Sequence, residues 1–255
     1  MRVVYLLSFY LFMFAFAASA AVGRPEIILP ASGLVAKDLA VVINTEDPLS
    51  MQIGHYYQQR RNIPAENIIR IAFEPGKSVM HPGEFAVLEK QVARQTPKYV
   101  QAYALTWAAP YRVGCMSISS AFAFGYDRKF CAKGCKPTAG SIYAGSDSLQ
   151  PQADFGIRPT MLIAAENLEQ AKALIDRGVA TDTLSLATAQ KGMAYLITTP
   201  DKTRSVRNVY FPEIQAQLGL TLPVANMSVD SVQQATNVMF YFTGDRVVKH
   251  IDSNQ

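Results

Sequence analysis

Short apolar segments alternate with amphipathic segments along most of this chain, and no other feature constrains its fold as strongly. The first apolar run, Leu39–Asn44 (LAVVIN), is nearly continuous, which is typical of a strand buried on both faces of a parallel sheet. Comparable runs follow it at Ile68–Phe73, Val100–Trp107, Thr160–Ala164, Met193–Thr198 and Asn237–Phe242. The alternation predicts an α/β fold: a three-layer arrangement with a mostly parallel sheet, helices on both faces and a long insertion loop that contains cysteines.

Helix signals separate most of these strands. Asp47 and Pro48 resemble an N-cap followed by proline at the first helical position, and an apolar face then continues to about Arg61. A second helix is predicted over Gly83–Gln95, because its apolar residues recur on one side.

Two later helices are predicted from their termini. Asn167 and Gln170 resemble a capping box, and Gly178 stands where the C-terminal cap of that helix belongs. Asp201 is a candidate cap for the other helix, which Pro212 would kink or interrupt before it closes at Gly219.

Composition narrows the class of protein. The chain has 255 residues, of which 49% are hydrophobic and only 17% are charged, so it has enough apolar surface for a substantial core. The formal net charge of +4 comes mostly from scattered Lys and Arg residues, a distribution that argues against nucleic acid as a partner.

The N-terminus carries the pattern of a secretory signal peptide over residues 1–20. Arg2 precedes an apolar stretch, and Ala18, Ser19 and Ala20 form a small-x-small cleavage signature. An uncleaved anchor is the alternative, but about fifteen apolar residues fall short of the roughly 20 that span a bilayer. We therefore expect an exported protein, periplasmic or secreted, with no membrane span after cleavage.

The expected organisation of the remaining chain is simple. Residues 21–37 form an extended N-terminal arm, residues 38–244 form a single α/β domain, and residues 245–255 form a polar tail. Within the domain, residues 108–158 lack regular periodicity and are predicted to form the insertion loop.

The insertion loop contains Cys115, Cys131 and Cys135, the three cysteines of the chain. Export permits disulfides, so one bond is expected there, with three pairings open. Cys115 is also a candidate nucleophile, because it follows a strand and a glycine. A Cys-x3-Cys pair without a nearby histidine is a poor zinc signature, so no metal is expected.

Candidate ligand residues come from the ends of strands, because ligands of open α/β sheets bind beyond the carboxyl ends. The rule nominates six residues: Asn44, Asp47, Trp107, Arg112, Asp201 and Arg204. The alternative is that they are turn and capping residues, above all Asp47 and Asp201.

Sequence motifs point to no particular catalyst. His55 fits a partly buried packing residue, His81 a solvated loop residue, and His250 follows the last predicted strand. The chain has no nucleophile elbow, zincin motif or nucleotide-binding loop, so no cofactor is expected and catalytic residues stay unassigned.

Three stretches of sequence resemble one family. They are residues 40–71 (AVVINTEDPLSMQIGHYYQQRRNIPAENIIRI), 158–182 (RPTMLIAAENLEQAKALIDRGVATD) and 192–214 (GMAYLITTPDKTRSVRNVYFPEI). Together they resemble an uncharacterised family of exported bacterial proteins that occurs in genomes carrying exosortase, the proposed transpeptidase for PEP-type C-terminal sorting signals. The resemblance implies a role linked to that sorting system, with envelope or exported proteins as partners.

The resemblance also implies that this chain is C-terminally truncated. Family members continue past the segment 240–244 (FYFTG) with an Asp-His-Leu-Thr-Ser-like stretch and a later Glu-Pro-Cys-like stretch, neither of which this chain contains. Two hypotheses follow. The first is a non-catalytic accessory or binding protein of the envelope that uses the insertion loop for recognition, and the second is a truncated hydrolase domain of the caspase–gingipain type.

Overall fold

The computed structural model describes residues 33–132, 136–182, 192–203, 205–219, 223–228 and 237–244. Its helices are α1 (Pro48–Arg61), α2 (Pro82–Gln95), α3 (Ile118–Phe124), α4 (Pro151–Phe155), α5 (Leu168–Thr181) and α6 (Phe211–Leu218). Its strands are β1 (Leu39–Asn44), β2 (Ile68–Ile71), β3 (Val79–Met80), β4 (Ala102–Leu105), β5 (Arg112–Val113), β6 (Met116–Ser117), β7 (Thr160–Leu162), β8 (Met193–Thr198), β9 (Val224–Ser228) and β10 (Val238–Thr243).

The main sheet is parallel, as predicted. Its four strands lie in the order β2-β1-β4-β7, with Val41 opposite Ile68 and Leu39 opposite Ala102. A second parallel sheet has the order β10-β8-β9, and a small mixed sheet joins β3, β5 and β6. The predicted α/β fold class is confirmed.

Helices cover both faces of the main sheet, which accounts for the continuous apolar run in β1. Val42 points to a core formed with residues of α2 and α3, whereas its neighbour Val41 points to a core formed with residues of α1 and α5. Both valines are fully buried. Since successive side chains of a strand alternate between faces, a strand with two covered faces needs apolar residues at every position.

The ends of α1 follow the sequence signals closely. Asp47 is the N-cap and accepts a hydrogen bond from the backbone N–H of Leu49 at 2.9 Å, with Pro48 in the first turn. The helix ends at Arg61, and Asn62 takes the left-handed conformation with φ of 53°. Asparagine tolerates this conformation better than most residues, so it can end a helix much as glycine does.

The other predicted helix ends agree only in part. Asn167 caps α5 by accepting from the N–H of Gln170 at 3.0 Å, but Gly178 lies inside this helix, which continues to Thr181. The predicted end at Gly178 was therefore wrong. Pro212 lies in the first turn of α6, where its missing N–H costs nothing. The predicted interruption is present, because a 3-10 helix at Ser205–Tyr210 precedes α6, and Gly219 is the C-cap as expected.

The insertion loop, residues 108–158, contains more regular structure than its sequence predicts. It includes β5, β6, α3 and α4, and Ile118 and Phe122 of α3 are buried in the core beside α2. A helix of seven residues is too short to show a clear 3.6-residue periodicity, which explains why the pattern was missed.

Several predictions lie outside the described residues: the signal peptide 1–20, most of the arm 21–37, and the tail 245–255. Among the helices that the structure describes, none combines the length and apolarity needed to cross a membrane.

Candidate functional site

Asn44, at the carboxyl end of β1, is fully buried and holds two loops together. Its Nδ2 donates to the carbonyl of Phe73 at 2.9 Å, and its Oδ1 accepts from the N–H groups of Phe73 at 3.2 Å and Glu46 at 3.1 Å. These bonds occupy the amide, so Asn44 positions backbone and leaves little for a ligand.

A buried hydroxyl pair continues this arrangement toward β4. Ser50 Oγ accepts from the N–H of Asn44 at 3.0 Å and lies 2.8 Å from Thr106 Oγ1. Thr106 Oγ1 also lies 3.2 Å from the carbonyl of Val42, to which it can donate. Buried polar groups of this kind stabilise the fold when each is hydrogen-bonded.

Replacing Asn44 with alanine is expected to lower the free energy of unfolding by about 2 kcal/mol, because buried N–H and C=O groups lose their partner. Urea unfolding measures the change. Thr45→Val is the matched control, since the Thr45 hydroxyl donates to the carbonyl of Ile71 in β2 but from an exposed position. Equal effects of the two substitutions would contradict the structural role of Asn44.

Trp107 belongs to the core and is only 1% exposed. Its ring lies edge-on to Phe73 at 5.0 Å and to Phe122 at 6.2 Å between ring centres, and its Nε1 donates to the carbonyl of Pro110 at 3.2 Å. Phe73 therefore brings Asn44 and Trp107 together, but as parts of one packed region. Arg112 is exposed on β5, where it pairs with Val79 and Ser117.

Of the two candidate aspartates, Asp47 is the cap already described. Asp201 follows β8, a strand of the second sheet, and its carbonyl accepts from the N–H of Ser205 at 2.8 Å. Ser205 and Thr199 are buried with their hydroxyls in contact. Arg204, Cys135 and His250 lie outside the described residues.

Cys115 and Cys131 form a disulfide with their Cα atoms 5.5 Å apart. This bond selects one of the three pairings that the sequence leaves open. It also occupies Cys115, the candidate nucleophile, in the oxidised protein. Tyr126 Oη lies 3.5 Å from Cys115 Sγ.

The described histidines have local roles. His55 is exposed, contrary to the prediction of a packing residue, and its Nε2 lies 3.0 Å from Gln59 Nε2. His81 is exposed as expected, and its Nδ1 accepts from the N–H of Gly83 at 3.1 Å to cap α2. Among the residues that the structure describes, no three His, Cys, Asp or Glu side chains cluster as a metal site would require.

The best candidate for a ligand site is a cleft of 520 Å³ between α2, β4 and the insertion loop, which we name the aromatic cleft. Tyr103 and Phe122 form its buried side. The insertion loop contributes Phe124, Phe130, Ile142 and Phe155 to the lining. The lining combines these rings with charged and polar side chains, Glu89, Lys129, Gln152 and Arg158, and its volume is in the range of ligand sites.

Two cations of the aromatic cleft already have partners. Lys129 Nζ lies 3.1 Å from Asp127 Oδ2 and 4.9 Å from the ring centre of Phe130. The Nε of Arg158 donates to the carbonyl of Val100 at 3.0 Å, and its guanidinium carbon lies 5.5 Å from the ring centre of Tyr103. The backbone N–H and side chain of Lys129 keep the pKa of Asp127 below its ordinary value.

Glu89 is the carboxylate of the aromatic cleft, and it lies half-buried on α2. Within the described part of the chain its carboxyl makes no hydrogen bond or ion pair. Burial raises the pKa of Glu89 above its ordinary value, and the nearby charge of Lys90 opposes this shift only in part. A carboxyl with a raised pKa in a cleft is characteristic of functional sites.

Glu89→Gln should raise stability at neutral pH and leave it unchanged in acid. A raised pKa means that the folded protein binds the proton of Glu89 more tightly than the unfolded chain does. The contribution of Glu89 to the free energy of unfolding is therefore favourable below its unfolded pKa and is lost as pH rises through its folded pKa. Urea unfolding at pH 3 and pH 8 (about one unit below and several above the ordinary glutamate value) measures this. Glu84→Gln removes an exposed carboxylate from the first turn of α2, where the helix dipole favours it, so this control should lower stability at pH 8 by up to about 1 kcal/mol, the opposite sign, and leave it unchanged in acid.

The aromatic cleft was missed by the strand-end rule because it lies at the opposite end of the strands. Arg158 precedes β7, and Val92 and Ala93 lie in the last turns of α2. One signal was available: Glu89 is four residues after Phe85 and adjacent to Leu88, and both of those are buried. A carboxylate at helical spacing from buried residues is partly desolvated.

Comparison of the chain with protein-family models, with curated proteins and with solved structures gives no match.

Proposed function

We propose that the protein is an exported, non-catalytic binding protein of the cell envelope that acts in exosortase-type protein sorting and recognises an exported polypeptide through the aromatic cleft. The observation that carries this proposal is the cleft itself, which aromatic rings of the insertion loop line together with Glu89, a carboxyl that makes no hydrogen bond or ion pair within the described residues. Loops held on a rigid scaffold are where binding function concentrates.

Two features support export. Residues 1–20 have the charge, apolar stretch and cleavage signature of a signal peptide. The Cys115–Cys131 disulfide fits an oxidising compartment such as the periplasm. The link to sorting has a separate support, the family resemblance of residues 40–71, 158–182 and 192–214.

The geometry favours binding over catalysis. At the carboxyl edge of the main sheet, Asn44 bonds to backbone and Trp107 packs in the core. The cleft has a carboxyl and two engaged cations, but within its described lining no nucleophile lies beside a base. A carboxylate among aromatic rings recognises a ligand without needing to transform it.

Photo-crosslinking in the native host tests the recognition surface. A benzoyl-phenylalanine at Ile142, which is 70% exposed in the cleft, should form an adduct with an exported protein that mass spectrometry identifies. Val209 is 69% exposed outside the cleft and is the matched control. Absence of an adduct at Ile142, or equal adducts at both positions, would refute recognition through the cleft.

Gene deletion tests the link to sorting. Without this protein, exported proteins with a PEP-type C-terminal signal should accumulate in their unprocessed form, and a plasmid copy should restore processing. Fractionation and immunoblotting measure both forms. Normal processing in the deletion strain would separate this protein from the sorting system.

A further inference from the structure

We infer that the aromatic cleft selects a basic side chain, a lysine ammonium or an arginine guanidinium, of the polypeptide it binds. This inference rests on the proposed binding function and adds the chemical class of the ligand. It is carried by the contacts of the charged groups that line the cleft.

Both cations that line the cleft already have partners. Lys129 pairs with Asp127 at 3.1 Å, and Arg158 donates to the carbonyl of Val100 at 3.0 Å while its guanidinium lies over Tyr103. Both cations also lie over aromatic rings of the cleft, Lys129 over Phe130 and Arg158 over Tyr103, so each is held in place by contacts within the protein.

Glu89 differs from these cations in having no partner among the described residues. Within the described residues no donor bonds to its carboxyl, although the group is half-buried in the cleft. A desolvated carboxylate without a donor is costly, and a ligand that supplies N–H donors and positive charge removes that cost. An anionic ligand would add a second negative charge beside it.

The walls of the cleft suit the apolar part of a basic side chain. Phe124 and Phe130 pack edge-to-face with ring centres 4.6 Å apart, and both line the cleft with Glu89. Aromatic faces accept the methylene stem of lysine and attract its ammonium, as the contact of Lys129 with Phe130 already illustrates.

Calorimetric titration of the intact exported protein with four blocked pentapeptides tests the inference. The peptides are identical except at the central residue, which is lysine, arginine, norleucine or glutamate. The lysine and arginine peptides should bind about tenfold more tightly than the norleucine peptide, as a charge-assisted hydrogen bond provides. In Glu89→Gln this preference should fall to about one, whereas Glu84→Gln should retain it.

The pH profile separates recognition by charge from a structural effect of the substitution. Affinity for the lysine peptide should rise as Glu89 ionises, because burial raises the pKa of this carboxyl. The other titratable groups near Glu89 or in the cleft are Lys90, Tyr103, Lys129 and Arg158. The rise of affinity on the acid side of the profile is therefore assigned to Glu89 only if Glu89→Gln removes it.

The outcomes are distinct. Equal affinity for lysine and norleucine, preference for glutamate, or binding of none of the four peptides would overturn the inference. Putrescine that binds as tightly as the lysine peptide would also overturn it, because the cation would then be a free polyamine. If Ile142 still crosslinks to an exported protein, the ligand class is wrong and the binding function stands; if it does not, the binding function itself fails.

Discussion

Trp107→Ala should lower the free energy of unfolding by about 3–5 kcal/mol, the usual cost of truncating a buried aromatic residue. The indole is 1% exposed and contacts the rings of Phe73 and Phe122 in the core. The substitution removes these contacts and leaves a cavity that the surrounding sheet and helices fill only in part. Because Trp107 is the only tryptophan, unfolding is followed by circular dichroism instead of fluorescence.

Arg112→Ala is the matched control, since Arg112 was nominated by the same strand-end rule but is exposed. An exposed substitution of this kind changes stability by less than about 0.5 kcal/mol. If Trp107→Ala is as mild as the control, Trp107 is not a core residue, and its assignment to a ligand site at the carboxyl edge regains support.

Removing the Cys115–Cys131 disulfide by paired serine substitutions should lower stability by about 3 kcal/mol. The bond joins residues 16 apart in sequence and therefore limits the freedom of the unfolded insertion loop. It also fixes one wall of the aromatic cleft, because Phe130 directly precedes Cys131. Urea unfolding under non-reducing conditions measures the loss.

Cys135→Ser is the control for this prediction, because it leaves Cys115 and Cys131 free to pair. It should retain full stability and the mass of an oxidised protein with one disulfide. The prediction is contradicted if Cys135→Ser loses the disulfide, or if the double serine variant of Cys115 and Cys131 loses no stability. Either result would show that a different pair of cysteines stabilises the insertion loop.

Much of the α/β framework could be predicted because local signals and tertiary burial agree. The continuous run Leu39–Asn44 matches β1 at both ends, since a two-sided core demands apolar residues throughout. Asp47 and Pro48 marked the start of α1 because capping is a local interaction. Gly178 failed as a helix end because nothing local requires α5 to stop there.

The candidate site could not be predicted in the same way. A polar residue after a strand can either bind a ligand or hydrogen-bond to the backbone of a neighbouring loop. The hydrogen bonds of Asn44 to Phe73 show that this residue has the second role, and the sequence does not contain that information. The aromatic cleft joins Glu89, Tyr103, Lys129 and Arg158, which are separated by many residues in sequence. Such a grouping depends on the path of the insertion loop, which carries little periodic signal.

Blocking the aromatic cleft while preserving the fold tests recognition through this cleft. Gly140 lines the cleft, and a Cβ built on it has no neighbour within 4 Å, so Gly140→Trp adds bulk there without a clash at Cβ. Both variants carry the photo-crosslinker at Ile142, and adduct formation is measured in the host. The adduct should be lost in Gly140→Trp and retained in Gly140→Ala. If the tryptophan variant is folded and still crosslinks as strongly as the alanine variant, the protein binds its partner elsewhere and the central claim is wrong.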